Sequence, residues 1–410
     1  MDETPTLDRK MDHALFTRLT QFSNVLQLEL FPRLKESAGP IEGKMQLFVA
    51  CCAMIPLERL VPAGRWNGRP SKDRVAIARA FVAKSVFGYV TTRQLIDVLK
   101  RDDTLRPLCG WARATQMPHE STFSRAFAEF AEMKLAAAAH EALVASTQQQ
   151  RLIGHVCRDS TAIEAREAVV AAPGKERGRG SANKAAANKT AARKNNGKSR
   201  RGKKGKHVRQ TQPERDQERL TRIEKQAKMA DVSQMLAGIP DRCDWGAKAN
   251  ANGNTKYWRG YKLHLDVADG QIPLTAVLTS ASVHDSQVAI PMMHMTTKKV
   301  TYLYDVADSA YDAAGIREVS RKLGHKPVID YHTRAKQPTQ LPVREKPQPE
   351  MSPAERERYK ERTLVERVFG RLRDEFGAEF VRVKGAPKVL THLMFGVLAL
   401  TVDQTLRLAQ

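Results

Sequence analysis

Four side chains able to bind a metal ion or a phosphate recur at helical spacing in the segment 352–377, namely Tyr359, Arg362, Glu366 and Arg373. Their separations of three, four and seven residues place all four within an arc of roughly 60°, at about 100° per residue. An apolar arc lies beside it, formed by Val365, Val368, Phe369 and Leu372. A carboxylate at the edge of a buried helix face can reach a metal ion while neighbouring cations reach phosphates. Spacing alone leaves a second interpretation open, in which Arg362 and Glu366 form only a surface ion pair one turn apart.

Two aspartates in strand-like segments are candidate partners for Glu366. Asp159 lies in HVCRDSTAIEA, and Asp308 follows TYLYDVA. Isolated acids are costly in a buried strand unless they pair or bind a metal, and oxygen ligands suit Mg²⁺ or Mn²⁺. Two such ions about 3.5–4 Å apart can activate a water or a 3′-hydroxyl and stabilise the leaving oxygen of a phosphodiester. The alternatives are that both aspartates only cap turns, or that Asp305 takes the place of Asp308.

The elements that carry these residues change character near residue 150. Residues 1–150 have apolar positions at helical spacing and predict a helical N-terminal domain. Candidate helix caps within it are Ser71, Thr91 or Thr92, and Ser121. Two short helices with a break at Gly88–Tyr89, followed by a third helix, are compatible with a helix-turn-helix DNA-binding unit. The candidate DNA contacts are Ser121, Thr122 and Arg125, although an ordinary three-helix bundle shows the same pattern.

Residues 151–410 alternate strand-like and helix-like segments and predict an α/β catalytic domain. Strands are expected at LIGHVCRDSTAIEA, YWRGYKLHLDVAD, IPLTAVLTSAS, KVTYLYDVADSAYD and KPVIDYH. Gly270 should turn between the second and third strands, and a helix capped by Asp285 or Ser286 should follow the third. A charged helix is expected over 214–238. A single long helix is expected from Ser352, with Pro353 at its first position.

A low-complexity stretch interrupts this second domain at about residues 172–212. From Gly174 to Arg209 it holds 14 Lys or Arg and one acid, which accounts for more than half of the chain's net charge of +23. The stretch has too few apolar side chains to form a core, so we expect a disordered basic loop that binds the DNA backbone. A solvated linker or a localisation signal is the alternative.

The net charge and a sequence pI of about 9.9 indicate a polyanionic partner, and nucleic acid is favoured over an anionic membrane surface. No run of 18 or more uninterrupted apolar residues is present, so no membrane-spanning helix is expected. The polar N-terminus does not resemble a signal peptide. Five cysteines without CxxC spacing predict neither a disulfide framework nor a thiolate zinc site, and they favour a reducing, intracellular compartment.

Two aromatic residues lie between two basic ones over residues 256–259, a mixture suited to stacking on an unpaired base beside phosphates. Trp258 is the candidate stacking ring. Because side chains alternate between the two faces of a strand, one of Tyr257 and Trp258 should be a core residue, which is the competing interpretation for Trp258. His264 is expected to be a hydrogen-bonded structural histidine.

Together, these segments resemble the DDE transposases of bacterial insertion sequences. Tyr359-x2-Arg362-x3-Glu366-x6-Arg373 is similar to the family's Y-(2)-R-(3)-E-(6)-K/R signature. RDST (158–161) and ADSAYDA (307–313) resemble the surroundings of the first and second catalytic aspartates, and GYKLHL (260–265) and SVHDS (282–286) resemble the segments between them. The run from Arg69 to STFSRAF is similar to the helical domain that commonly precedes this catalytic core. The likeness covers roughly residues 69–168 and 240–405.

The resemblance implies an RNase H-like mixed sheet with flanking helices, preceded by an all-α N-terminal domain. It implies that Asp159, Asp308 and Glu366 are catalytic and bind two Mg²⁺ or Mn²⁺ ions. It would place three further side chains on DNA phosphates, Tyr359, Arg362 and Arg373. Two departures are that Arg373 stands where lysine is commoner and Ala310 where glycine is frequent.

The function implied is metal-dependent cleavage of double-stranded DNA at the ends of an insertion sequence and strand transfer into target DNA. The resemblance also implies a homodimer on DNA, acting in the cytoplasm on the nucleoid. One alternative is an RNase H-like nuclease that does not transfer strands. The other is a non-catalytic DNA-binding protein derived from a transposase.

Overall fold

A computed structural model of the protein describes residues 43–61, 73–169, 221–249, 254–330 and 351–409. The predicted cap Ser71 and all of the basic stretch lie outside these ranges. Seven α-helices precede the sheet in the described ranges: α1 (Lys44–Met54), α2 (Leu57–Leu60), α3 (Arg74–Phe87), α4 (Thr92–Arg101), α5 (Leu105–Cys109), α6 (Glu120–Glu132) and α7 (Leu135–Gln148). This region is therefore all-helical where it is described, as predicted.

The ends of these helices follow from local capping residues. Thr91 caps α4 by accepting a hydrogen bond from a backbone amide of the first turn, as predicted. Gly88 ends α3 in the left-handed conformation (φ 71°), and the axes of α3 and α4 are inclined by 101°. The cap predicted at Ser121 is wrong, because α6 already begins at Glu120. Its cap is the ring of His119, which accepts a hydrogen bond from the Ser121 amide.

The sheet is mixed, as predicted. Its strands are β1 (Leu152–Glu164), β2 (Asp244–Ala249), β3 (Thr255–Ala268), β4 (Ile272–Ser280), β5 (Thr301–Ala307) and β6 (Lys326–Ile329). The order is β2-β3-β1-β5-β6, with β4 also paired to β3. β1 is antiparallel to β3 and parallel to β5, and β5 is parallel to β6. The sequence did not predict β2, a short strand with a glycine in its middle, whereas the turn at Gly270 (φ 78°) is confirmed.

Helices flank this sheet: α8 (Arg222–Ala227), α9 (Val232–Ala237), α10 (Ser286–Thr297), α11 (Ala314–Lys322), α12 (Pro353–Lys360), α13 (Thr363–Asp374) and α14 (Ala386–Ala409). In its described part, the charged helix predicted over 214–238 is two short helices. The long helix predicted from Ser352 is interrupted after Lys360, which separates α12 from α13. Its start is as predicted, since Ser352 and Glu355 form a reciprocal capping box with Pro353 at the first position.

The helical region and the sheet share one apolar core. Phe81 of α3 stacks on Phe395 of α14 with ring centroids 5.9 Å apart, and α14 also packs on α7 and β4. The Nε2 atom of His140 in α7 lies 3.1 Å from the carbonyl oxygen of Pro273 in β4. α14 is long and apolar enough to span a membrane, but 78% of its most apolar window is buried within the fold. Its apolar surface is therefore taken up by this core.

Candidate active site

Asp159 and Asp308 lie level with one another on neighbouring parallel strands. The register of β1 and β5 pairs Arg158 with Ala307, so the next residue of each chain segment is an aspartate. Asp308 keeps an extended backbone (φ −78°, ψ 178°), which continues the alternation of the strand. Both carboxylates are therefore directed to the same face of the sheet. Asp308 also caps the short 3₁₀ turn that follows, through a 3.0 Å hydrogen bond from the Ala310 amide.

Asp159 lies in an environment that disfavours its ionised form. The pKa of Asp159 is raised to about 6, mainly by burial and to a smaller extent by the charges of Asp308 and Asp285. The amide of Ser160, which donates a 2.7 Å hydrogen bond to Oδ1, and the charge of Lys248 act in the opposite direction. Asp159 is thus a carboxylate with too little compensating positive charge. A divalent cation at this position would supply it.

α13 crosses the same sheet face and carries Glu366. The guanidinium of Arg373 donates a 3.0 Å hydrogen bond to Thr161, two residues from Asp159 and on its face of β1. The carboxylate of Glu366 is 54% exposed and pairs with the Arg362 guanidinium at 3.1 Å. The helix therefore has an anchored end at Arg373 and an accessible carboxylate nearer its start.

Arg362 links the strand acids to the helix acid. Burial lowers its pKa, but the negative charges of Glu366, Asp308 and Asp159, together with Tyr359, outweigh that effect and raise the pKa. The guanidinium also lies 5.8 Å from the centre of the Tyr359 ring. One cation is thus within electrostatic reach of all three predicted acids.

The oxygen donors of this site fit Mg²⁺ or Mn²⁺ by their chemistry. As they stand, however, no three His, Cys, Asp or Glu side chains of the described ranges lie close enough together to hold a metal ion. Glu366 instead pairs with Arg362, whose guanidinium lies within electrostatic reach of Asp159 and Asp308 as well.

Asp305, the rival to Asp308, lies on the opposite face of the sheet. It is 1% exposed and accepts hydrogen bonds from Tyr302 (3.1 Å) and Ser320 (2.5 Å). Its Oδ1 atom is 3.5 Å from the guanidinium of Arg158, which also donates a 2.8 Å hydrogen bond to the buried Asp266. Asp305 is thus part of a buried ionic network under the sheet. Asp308 is the acid of this segment that shares a face with Asp159.

Two models of known protein families match the chain. Residues 153–402 match the model of the transposase DDE domain, and residues 46–129 match a second model, a transposase domain of otherwise undefined function. The chain belongs to the DDE transposase family. No curated protein and no solved structure matches it significantly. The mixed sheet with its flanking helices is accordingly the RNase H-like fold that this domain implies, and DNA is the partner that it implies.

In this transposase chain Trp258 cannot be a stacking residue, so that prediction is wrong. Trp258 is 4% exposed, its indole donates a 3.1 Å hydrogen bond to the Tyr261 carbonyl, and its ring covers Gly246 of β2. The competing interpretation as a core residue is confirmed. The exposed rings of this ribbon are those of Tyr257 and Trp245.

The DNA contacts predicted in the N-terminal region lie at the start of α6. Ser121 and Arg125 are exposed and Thr122 is half-buried. The guanidinium of Arg125 donates a 3.3 Å hydrogen bond to the Ser121 carbonyl of its own helix. They are accessible at one helix end, and their contact with DNA stays a prediction.

Two polar residues near the acids were not predicted as part of the site. Asp285, one of the two caps expected for α10, occupies the N-cap position, but its carboxylate makes no capping hydrogen bond and instead accepts a 2.9 Å hydrogen bond from Lys262 of β3. Lys248 lies on β2, which was not predicted at all. The sequence contains no local pattern for either, because both relationships join segments that only the sheet brings together. His264 is structural as expected, buried at 2.9 Å from the hydroxyl of Thr279.

Proposed function

We propose that the protein catalyses metal-dependent cleavage of DNA at the ends of an insertion sequence and transfers the resulting 3′ ends into target DNA. The observation that supports this most directly is the level register of Asp159 and Asp308, beside a helix that carries Glu366. In this proposal the three acids hold two Mg²⁺ or Mn²⁺ ions. When bound, the ions supply activation of the attacking oxygen and stabilisation of the leaving oxygen.

The protein's own residues prepare this site by exchanging one ion pair for another. Without DNA, Arg362 neutralises Glu366 and lowers the repulsion among the acids. A DNA phosphate can take over Arg362, since guanidinium binds phosphate oxygens in a bidentate manner. Glu366 is then free to turn towards Asp159 and Asp308. The site would thus acquire its full set of carboxylates only when DNA is present.

The DNA contacts in this proposal follow the helix stripe. Tyr359, Arg362 and Arg373 bind phosphates next to the scissile bond, with Arg373 placed by its hydrogen bond to Thr161. In the N-terminal domain, residues 1–150, contacts by Ser121, Thr122 and Arg125 would add binding to double-stranded transposon ends. Cleavage of paired ends by residues 151–410 is consistent with a homodimer on nucleoid DNA in the cytoplasm.

The experiment is a cleavage and strand-transfer assay on the DNA that flanks the gene, with Mg²⁺ present or chelated. The proposal expects cut ends and joined products with Mg²⁺ and neither with a chelator. Cut ends without joined products would identify a nuclease instead. DNA binding without any cut ends, together with biological activity that survives Asp159→Ala, would identify a non-catalytic DNA-binding protein.

A further inference from the structure

The antiparallel ribbon of β2 and β3 exposes two aromatic rings on one of its faces. Trp245 is 54% and Tyr257 67% exposed. The register pairs Trp245 with Arg259 and Ala247 with Tyr257, so both rings and the exposed Arg259 share a face. The two rings are diagonal neighbours, a separation of about 7–8 Å between the backbones that long side chains bridge. The ribbon therefore presents an aromatic and cationic surface to solvent.

The exposure of these rings is not explained by packing of the ribbon itself. The opposite face supplies the core contact, since the Trp258 ring lies against Gly246 so closely that a Cβ there would be 2.4 Å from it. Large exposed aromatic side chains bury 150–250 Å² or so when they find a partner. Trp245 and Tyr257 are thus large rings on the face that the fold leaves open.

Two lysines form a cross-strand pair on the other face of the ribbon, the face that also carries Trp258. The register pairs Lys248 with Lys256, and both side chains are exposed. Lys256 has a loose ion pair with Glu164 at 3.5 Å. Like charges directly across a ribbon destabilise it, and a phosphate near both ammonium groups would remove that repulsion. The ribbon thus combines aromatic rings with cations suited to a nucleic-acid backbone.

The position of the ribbon connects it to the candidate active site. The charge of Lys248 lowers the pKa of Asp159, so its ammonium lies within electrostatic reach of that carboxylate. β3 continues from this ribbon directly along β1, where Leu265 pairs with Asp159. A DNA strand held at the acids would therefore pass close to the ribbon.

We propose that Trp245 and Tyr257 form a stacking site for unpaired DNA bases, with Arg259 on a flanking phosphate at the same face and Lys248 and Lys256 on the DNA backbone at the other face of the ribbon. This inference rests on the proposed function, because the proposed cleavage reaction brings a DNA strand to the ribbon. Single-stranded DNA fits better than a protein partner, since Arg259 shares the face of the two rings and two exposed lysines lie on the other face of the same ribbon. No exposed apolar rim is present among the described residues of the ribbon. Stacking is tolerant of sequence because every base offers a planar face.

The test measures binding of the full chain to oligothymidine and to a blunt duplex of equal length, both in a chelating buffer so that no cleavage occurs. Trp245→Ala and Tyr257→Ala should each weaken binding of the single strand on the order of tenfold, with duplex binding changed by less than about twofold. Tyr257→Phe keeps the ring and should bind like the wild type. Phe380→Ala removes an equally exposed ring outside the ribbon, 52% exposed, and should change neither.

The roles of Lys248 and Lys256 are tested by the salt dependence of DNA binding. Lys248→Ala and Lys256→Ala should each lower the salt dependence of single-strand binding by about 0.7 in the log–log slope. The stacking site would be overturned if Trp245→Ala and Tyr257→Ala lost equal affinity for the single strand and the duplex, or lost no affinity for either. It would also be overturned if these variants changed the oligomeric state and not single-strand binding. This binding needs no catalysis. Failure of cleavage with intact single-strand preference would therefore contradict the proposed function and leave the stacking site in place.

Discussion

Arg362 holds the carboxylate of Glu366 in an ion pair of 3.1 Å, on the helix that crosses the face carrying Asp159 and Asp308. Removing this cation should strengthen metal binding before any DNA is added, because a positive charge near the acids opposes a second one. We expect Arg362→Ala to bind Mn²⁺ a few-fold to about tenfold more tightly than the wild type. Titration calorimetry without DNA measures this.

The same variant should lose cleavage of DNA, since Arg362 is expected to bind a phosphate. Arg367→Ala, an exposed cation on the same helix, serves as the control and should change Mn²⁺ binding little. Equal Mn²⁺ affinity in Arg362→Ala and the wild type would show that Arg362 does not compete with a metal ion for these acids.

The buried network under the sheet should matter for stability. Arg158 is 2% exposed and lies between Asp266 and Asp305, both buried. Arg158→Met leaves two buried carboxylates without their cation, which should lower the free energy of unfolding by about 3–5 kcal/mol. Urea denaturation measures the loss. Lys322→Met removes an exposed pair with Glu318 and should change the free energy of unfolding little, because exposed ion pairs contribute little to stability. A loss of the same size in both variants would show that the burial of the Arg158 network does not matter for stability.

The backbone register of the sheet depends on a few glycines. Gly260 has φ 154°, and a Cβ at this position would lie 2.0 Å from the carbonyl oxygen of Ile163. Gly260→Ala should therefore displace β1 from β3 and lower the melting temperature markedly. Gly370→Ala is the matched control, because nothing lies within 4 Å of its Cβ. Alanine should stabilise α13 there by roughly 0.5–1 kcal/mol, and a stable Gly260→Ala protein would show that this close approach is not required.

The buried His140 should contribute to the pH dependence of the free energy of unfolding at acid pH. Burial lowers the pKa of His140 to about 3, so it remains neutral in the folded protein while it takes up a proton near pH 6.5 when unfolded. The contribution of His140 to the free energy of unfolding is therefore fully present above pH 6.5. It declines as the pH falls towards 3, by up to about 1.4 kcal/mol per pH unit. The free energy of unfolding of His140→Gln should depend less steeply on pH in this window. An unchanged slope would indicate that His140 does not set it.

Features decided by a few neighbouring residues could be predicted from the sequence. The Thr91 cap and the Ser352–Glu355 capping box are local hydrogen bonds, and both are present. The stripe from Tyr359 to Arg373 was predicted from the period of one continuous helix, whereas the structure divides it between α12 and α13. Asp159 lies within β1 and Asp308 directly after β5, as the two strand-like segments predicted.

Features decided by contacts with a distant segment could not be predicted from the sequence. Whether Trp258 or Tyr257 is buried depends on Gly246 across the ribbon, and β2 was not predicted. The attraction of Asp285 to Lys262 likewise replaces its predicted role as a cap, because the two residues are 23 positions apart and meet only in the folded sheet. Contacts between segments that are distant in the sequence thus decided both of these points.

In the proposed reaction Asp308, level with Asp159, holds a catalytic metal ion. The most direct measurement compares Asp308→Asn with the wild type for Mg²⁺-dependent cleavage and joining of the DNA that flanks the gene. Asp312→Asn, which affects a nearby acid paired with Arg317, is the control. We predict that Asp308→Asn still binds this DNA but forms cut ends and joined products at least on the order of 10²-fold more slowly, while Asp312→Asn remains active. Cleavage and joining by Asp308→Asn at the wild-type rate would show that Asp308 does not hold a catalytic metal ion.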